Sequence, residues 1–202
     1  MSDVEQIRKQ NQRTILMLLG AFILPLVLAW FVYLNTSGVH VTNNGGHLIT
    51  PARPLQSLAL TAEDGKPFGF SELKGKWHLV YIGNGACTEK CHAMLSKMHQ
   101  VRMAQGKDMS RLDLLFITNN KAEQNNSAKL AGQYARLSVL YIEPGNAQQF
   151  TKLFSGAGNG GAKDNIYVID PLGNLMLQYT DAIALIGIIK DLTRLLKNSQ
   201  IG

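Results

Sequence analysis

The feature that most limits how this chain can fold is a run of twenty residues without a charge, Ile15 to Leu34 (ILMLLGAFILPLVLAWFVYL). A helix needs about 20 apolar residues to cross a bilayer. Trp30 and Tyr33 fall near the far end, where amphipathic rings favour the interface. Pro25 sits mid-span, a position that membrane helices tolerate. A cleaved secretory signal is the alternative reading. Its apolar core is about 7–15 residues long and leads into a small-residue cleavage site. This run is longer and ends in bulky residues. We therefore expect a short N-terminus at 1–14, a retained transmembrane helix at 15–34, a linker at 35–54 and a folded domain at 55–202. Arg8, Lys9 and Arg13 precede the run, and the next positive residue is Arg53. The positive-inside rule then puts the N-terminus in the cytoplasm and the domain outside it.

The part after the run has about 165 residues, enough for one domain with a real core. It holds 17 Lys and Arg against 12 Asp and Glu, scattered without a basic run. That charge reads as a solvated surface rather than a nucleic-acid footprint. The stretch 35–54 is rich in Asn, Gly and Pro and shows no periodicity, hence the linker.

From Leu55 onward, strand and helix patterns alternate. Leu55 to Thr61 and Lys66 to Phe70 flank the turn Glu63-Asp64-Gly65 and suggest a hairpin. Trp77 to Ile82, Leu112 to Thr118 and Leu137 to Ile142 are short apolar runs of the kind buried strands show. Thr88 to about Gln105 and Ala122 to Tyr134 are helical in pattern. Ile166 to Ile169 and Leu175 to Tyr179 flank Asp170-Pro171-Leu172-Gly173-Asn174, a connection too short for a parallel crossover. Ala184 to Lys197 places Leu185, Ile188, Ile189, Leu192, Leu195 and Leu196 on one stripe. The order predicts an α/β domain, a mixed sheet with helices on both faces.

The only two cysteines, Cys87 and Cys91, follow the first central strand, in Gly85-Ala86-Cys87-Thr88-Glu89-Lys90-Cys91-His92. Four residues make about one helical turn, so both sulfurs can face the same way. Outside the cytoplasm such a pair can close a disulfide. Thiolates are also soft donors that suit Cu(I). A helix N-terminus lowers a thiol pKa and favours either chemistry, and Lys90 and His92 would add to that effect. A plain structural disulfide is the bland alternative, although so small a loop gains little from closure. Met94, Met98 and Met103 have the spacing of core packing as well as of a copper-handling stripe. His99 reads as a surface residue, His78 as structural, and His40 and His47 as part of the linker. The glycines at 156–161 lack the Gly-Lys-Ser/Thr of a phosphate loop and read as a surface loop or a lid.

This order, with a thiol pair between a central strand and its helix, resembles the thioredoxin fold. Within it the chain is similar to the Sco/SenC group of membrane-anchored cytochrome c oxidase assembly proteins. The likeness rests on the N-terminal anchor, the entry segment LALTAEDGKPFGFSELKGKW, the C-x-x-x-C of Cys87 and Cys91, and the late hairpin NIYVIDPLGNLMLQY. It spans about residues 48–197. The resemblance implies a thioredoxin-like fold and a place in the bacterial inner membrane with the domain in the periplasm. It implies partners among cytochrome c oxidase subunits and other oxidase assembly factors. It also implies Cu(I) as a candidate metal, with Cys87 and Cys91 as both redox and metal residues. The family usually has a proline after each motif cysteine, where this chain has Thr88 and His92. It also has a copper-binding histidine just before the late hairpin, where this chain reads Gly160-Gly161-Ala162-Lys163-Asp164-Asn165. His92 is the nearest replacement ligand; an exposed helix residue is the alternative. Three functions stay open: copper delivery or thiol control during oxidase assembly, a general thiol–disulfide oxidoreductase, and a binding module without chemistry.

Overall fold

In a computed structural model the described residues are 2–35, 45–56, 59–83, 87–119, 124–155 and 162–202. The chain divides into two units, Met1–Val41 and Thr42–Gly202. The first contains helix α1, Ser2–Asn35, with Pro25 inside it. Its stretch Arg13–Phe31 is long and apolar enough to cross a membrane.

The second unit is an eight-stranded mixed sheet with helices on both faces, a thioredoxin-like fold as expected. The strands are β1 (His47–Pro54), β2 (Ala59–Ala62), β3 (Pro67–Gly69), β4 (Trp77–Ile82), β5 (Leu112–Thr118), β6 (Leu137–Ile142), β7 (Ile166–Ile169) and β8 (Asn174–Tyr179), in the order β1-β8-β7-β4-β5-β6-β2-β3. β4 pairs parallel with β5, and β5 with β6, because the helices α2 (Glu89–Ala104) and α3 (Gln124–Gln133) make the crossovers. β7 runs antiparallel to β4, and β8 folds back on β7. Asp170 sets that turn: its Oδ1 accepts the N–H groups of Leu172 and Asn174 at 2.9 and 2.8 Å. Gly173 follows at φ 84°, a conformation in which a Cβ would be strained.

β4 is buried along its whole length, which explains its unbroken apolar run. Its alternate residues serve two cores. Trp77, Leu79 and Tyr81 meet Met94, Leu95 and Met98 of α2 and Ile188, Leu192 and Leu196 of α5 (Leu185–Asn198). Val80 and Ile82 share the other core with Leu55, Leu73, Phe150 and Phe154, the last two from α4 (Ala147–Phe154). Met94 and Met98 are thus packing residues, whereas Met103 is exposed.

Two elements depart from the sequence reading. The second half of the expected linker is β1, paired antiparallel with β8 and broken by a shift between Leu48 and Arg53. Pro51 and Pro54 hide it, because an edge strand tolerates residues that cannot donate to a ladder. Only Ile49 of this strand is buried, so its hydrophobic alternation is weak. Helix α4 was also not anticipated. It is only two turns long and displays little beyond Phe150 and Phe154, whose rings stack 4.7 Å apart. The glycine-rich run 156–161 lies outside the described residues, as do His40 and the Gly85-Ala86 pair.

Candidate functional site

The site forms where β4 ends. Gly83 donates its N–H to Ile117 O at 2.9 Å, and a Cβ there would come within 2.6 Å of the Phe116 ring. A side chain at Gly83 would therefore press on the Phe116 ring at the end of β4. Thr88 stands at the N-cap of α2, Cys87 just before it and Cys91 in the first turn. Cys87 and Cys91 are joined as a disulfide, with Cα atoms 5.0 Å apart. Cys91 is 3% exposed and belongs to the core, whereas Cys87 is half-buried and packs against its edge. The first helical turn has unpaired N–H groups and a partial positive charge, so a thiolate released there is stabilised.

Lys90, between the two cysteines, is engaged. Its Nζ lies 3.0 Å from Asp181 Oδ2 and 3.5 Å from Asp164 Oδ2. The hydrogen bond with Lys90 holds the Asp181 carboxyl below its usual range, and Asp181 raises Lys90 in turn. Asp164 is fixed from two further sides. Its N–H donates to Ile82 O at 2.9 Å, and its Oδ1 accepts the Tyr81 hydroxyl at 3.1 Å. Its φ is 61°, in the left-handed region that Asp tolerates better than most residues. Burial, and then the Asp164 charge, push the Tyr81 hydroxyl far above its ordinary pKa, so Tyr81 acts as a donor.

His92 follows Cys91 on α2 and is exposed; its carbonyl accepts the Tyr134 hydroxyl at 3.4 Å. His99 is half-buried, not a surface residue as expected, because its ring lies 6.0 Å from that of Tyr134. His78 is structural. It is 3% exposed, and its Nε2 meets Leu73 O at 3.0 Å. His47 lies exposed on β1.

Among the described residues no three His, Cys, Asp or Glu side chains gather into a metal-holding group. In the stretch where the resemblance places a histidine, Asp164 takes up the space facing α2. It offers a hard oxygen already bound by Tyr81 and Lys90, which is a poor match to Cu(I). The described residues therefore do not build a three-ligand copper site. They build a disulfide between a partly buried and a fully buried cysteine, beside a lysine shared by two carboxylates. The disulfide itself was foreseen as one of two states. The role of Asp164 had no signal in the sequence beyond its place before the late hairpin.

Comparison with known proteins agrees with the fold. Residues 77–199 match the family described as transmembrane-like, thioredoxin-like, C-terminal domain. A protein of Stutzerimonas stutzeri named "Putative copper-binding protein" is 26% identical over 136 residues, 64% of this chain and 66% of that protein. The chain thus spans just under two thirds of that relative's length. The crystal structure of yeast Sco1 with copper bound superposes with a TM-score of 0.59 at 17% identity, covering 70% of this chain and 90% of that one. Bradyrhizobium japonicum ScoI with copper bound gives 0.54 at 20% identity, covering 67% and 95%. The resemblance to Sco proteins holds at the level of the fold.

Proposed function

Because this chain belongs to the family of transmembrane-like, thioredoxin-like C-terminal domains, we propose that it is a membrane-anchored periplasmic thiol–disulfide factor for cytochrome c oxidase assembly, which keeps the cysteines of the oxidase copper site reduced. The observation that supports this reading is the asymmetric pair at the start of α2, closed as a disulfide, with Cys87 partly exposed and Cys91 buried. The apolar stretch of α1 and the positive residues before it support the anchor and its orientation.

The exchange balances as follows. In the reduced protein the Cys87 thiolate attacks one sulfur of the partner's disulfide. That bond breaks, a Cys87–partner disulfide forms, and the second partner sulfur leaves as a thiolate that takes a proton. Cys91 then gives up its proton and attacks the Cys87 sulfur, releasing the first partner sulfur. The partner gains two electrons, and the protein ends in its disulfide form. A periplasmic dithiol reductant returns it to the dithiol. Burial keeps Cys91 from external disulfides, so it resolves rather than initiates.

A second reading is favoured by the name of the Stutzerimonas relative. The two thiolates of the reduced pair would carry Cu(I) as cargo, at low coordination, with His92, next to Cys91 in sequence, the candidate to complete the set. The test is a Cys87→Ser/Cys91→Ser strain scored for assembly of the oxidase copper centre. Loss of assembly is expected, and assembly equal to wild type contradicts both readings. Anaerobic Cu(I) titration of the reduced full-length protein against a competing chelator separates them. Tight one-to-one binding lost in the double variant supports cargo carriage, and absence of competitive binding leaves thiol exchange.

A further inference from the structure

We infer that the outer face of α5 and the groove beside it dock on an anionic lipid surface, the cations meeting headgroups and the groove taking the end of an acyl chain. The inference rests on the membrane anchor proposed above and on nothing about the thiols. Lys190, Arg194 and Lys197 follow one another by four and three residues, so they share one side of α5, and all three are exposed. Among the described residues none of these three side chains has a hydrogen bond or an ion pair. The acids on the neighbouring elements are engaged. Asp191, the one acid of α5, is half-buried and accepts the Tyr179 hydroxyl at 3.2 Å. Asp170, in the β7–β8 turn, holds the N–H groups of Leu172 and Asn174. The surface is left with an excess of positive charge.

The groove lies between the C-terminal half of α5 and the β7–β8 turn and has a volume of about 370 Å³. Trp77, Leu172, Met176, Leu195 and Ile201 line it together with Arg194. Leu172 and Ile201 leave 58% and 53% of their surface in water. Cations beside exposed apolar side chains are the pattern of a surface that rests at the headgroup boundary. A phospholipid brings the anionic head and the apolar chain in one molecule. It is also close at hand: with α1 as an anchor, the connection 36–46 is too short to take the domain more than about 40 Å from the bilayer. The groove sits at Trp77, where β4 starts, and the cysteine pair follows Ile82, where it ends. Roughly 17 Å of strand separates the two, so docking leaves the disulfide open to a partner.

The test uses the chain's two tryptophans, Trp30 in α1 and Trp77 in the groove. Trp30→Phe leaves Trp77 as the only indole. The full-length variant is placed in nanodiscs of phosphatidylcholine, or of phosphatidylcholine mixed with phosphatidylglycerol, with and without bromine on the acyl chains, and Trp77 emission is read. Quenching by brominated chains should be strong in the phosphatidylglycerol discs and weak in phosphatidylcholine alone. Each neutralised cation should weaken docking about fivefold, so Lys190→Gln/Arg194→Gln/Lys197→Gln should lose about a hundredfold and return quenching to the phosphatidylcholine level. Leu172→Gln, which leaves the charge unchanged, should also reduce quenching. An unchanged Trp77 emission maximum in phosphatidylcholine discs checks that the variants are folded. Equal quenching in both kinds of disc, or quenching that the triple substitution leaves unchanged, overturns the inference. So does its absence from both, which would leave the cationic face to an acidic protein. Protein that does not enter discs of either kind contradicts the anchor, and the inference with it, whereas protein that enters without quenching contradicts the inference alone. Neither oxidase nor thiol exchange enters the readout.

Discussion

The two ends of β4 are built from the same strand and solve opposite problems. At its start, beside the Lys76–Asp113 ion pair at 2.8 Å, two side chains end mainly on backbone carbonyls. His78 meets Leu73 O, and the Arg111 guanidinium donates to the carbonyls of Leu196, Ser199, Ile201 and Gly202 at 2.7–2.9 Å. At its end, side chains meet side chains: Lys90 with Asp164 and Asp181, Tyr81 with Asp164, Cys87 with Cys91. A backbone acceptor is fixed by the fold, so the first set cannot change partners without local unfolding. The ion pairs of the second set can exchange partners at small cost, and its disulfide can exchange with an incoming thiolate. The difference teaches where this molecule keeps its stability and where it keeps its chemistry.

The comparison breaks if the first end proves dispensable. Arg111→Ala removes the clamp on the C-terminal segment and should lower unfolding stability by about 2–3 kcal/mol, read from urea denaturation of the full-length protein. A loss below about 0.5 kcal/mol would mean that the tail docks by apolar contact alone. A smaller effect concerns His78, whose pKa burial pushes below its ordinary value despite the Leu73 carbonyl. The unfolded chain then binds the proton first. Stability should be full above about pH 6.5, decline as pH falls below that value, and stop declining at the lower folded pKa. His78→Gln should show a shallower decline over this window, and identical slopes would contradict the assignment. The smallest effect belongs to the other end. Lys90→Gln should leave unfolding stability within about 0.5 kcal/mol of wild type, read by the same urea denaturation, because its two ion pairs are half exposed; a larger loss would contradict the comparison.

Much of the sheet was legible because its central strands are buried on both faces. Leu112–Thr118 and Leu137–Ile142 have the bounds their apolar runs suggest. β1 was not legible, because its pairing with β8 is carried by backbone groups while, Ile49 apart, its side chains lie mostly toward solvent. The cysteine pair could be read from spacing and from its place after a strand. The lysine shared by Asp164 and Asp181 could not. Those acids are 74 and 91 residues away in sequence, and only the closure of β7 and β8 onto β4 brings them to α2.

The most direct measurement mixes reduced full-length Cys91→Ser protein with the oxidised copper-site domain of a cytochrome c oxidase, then resolves the products by non-reducing mass spectrometry. The account predicts a trapped mixed disulfide through Cys87, and complete reduction of the oxidase cysteines when Cys91 is restored. No mixed disulfide, with the oxidase domain left oxidised by the wild-type protein, would contradict it.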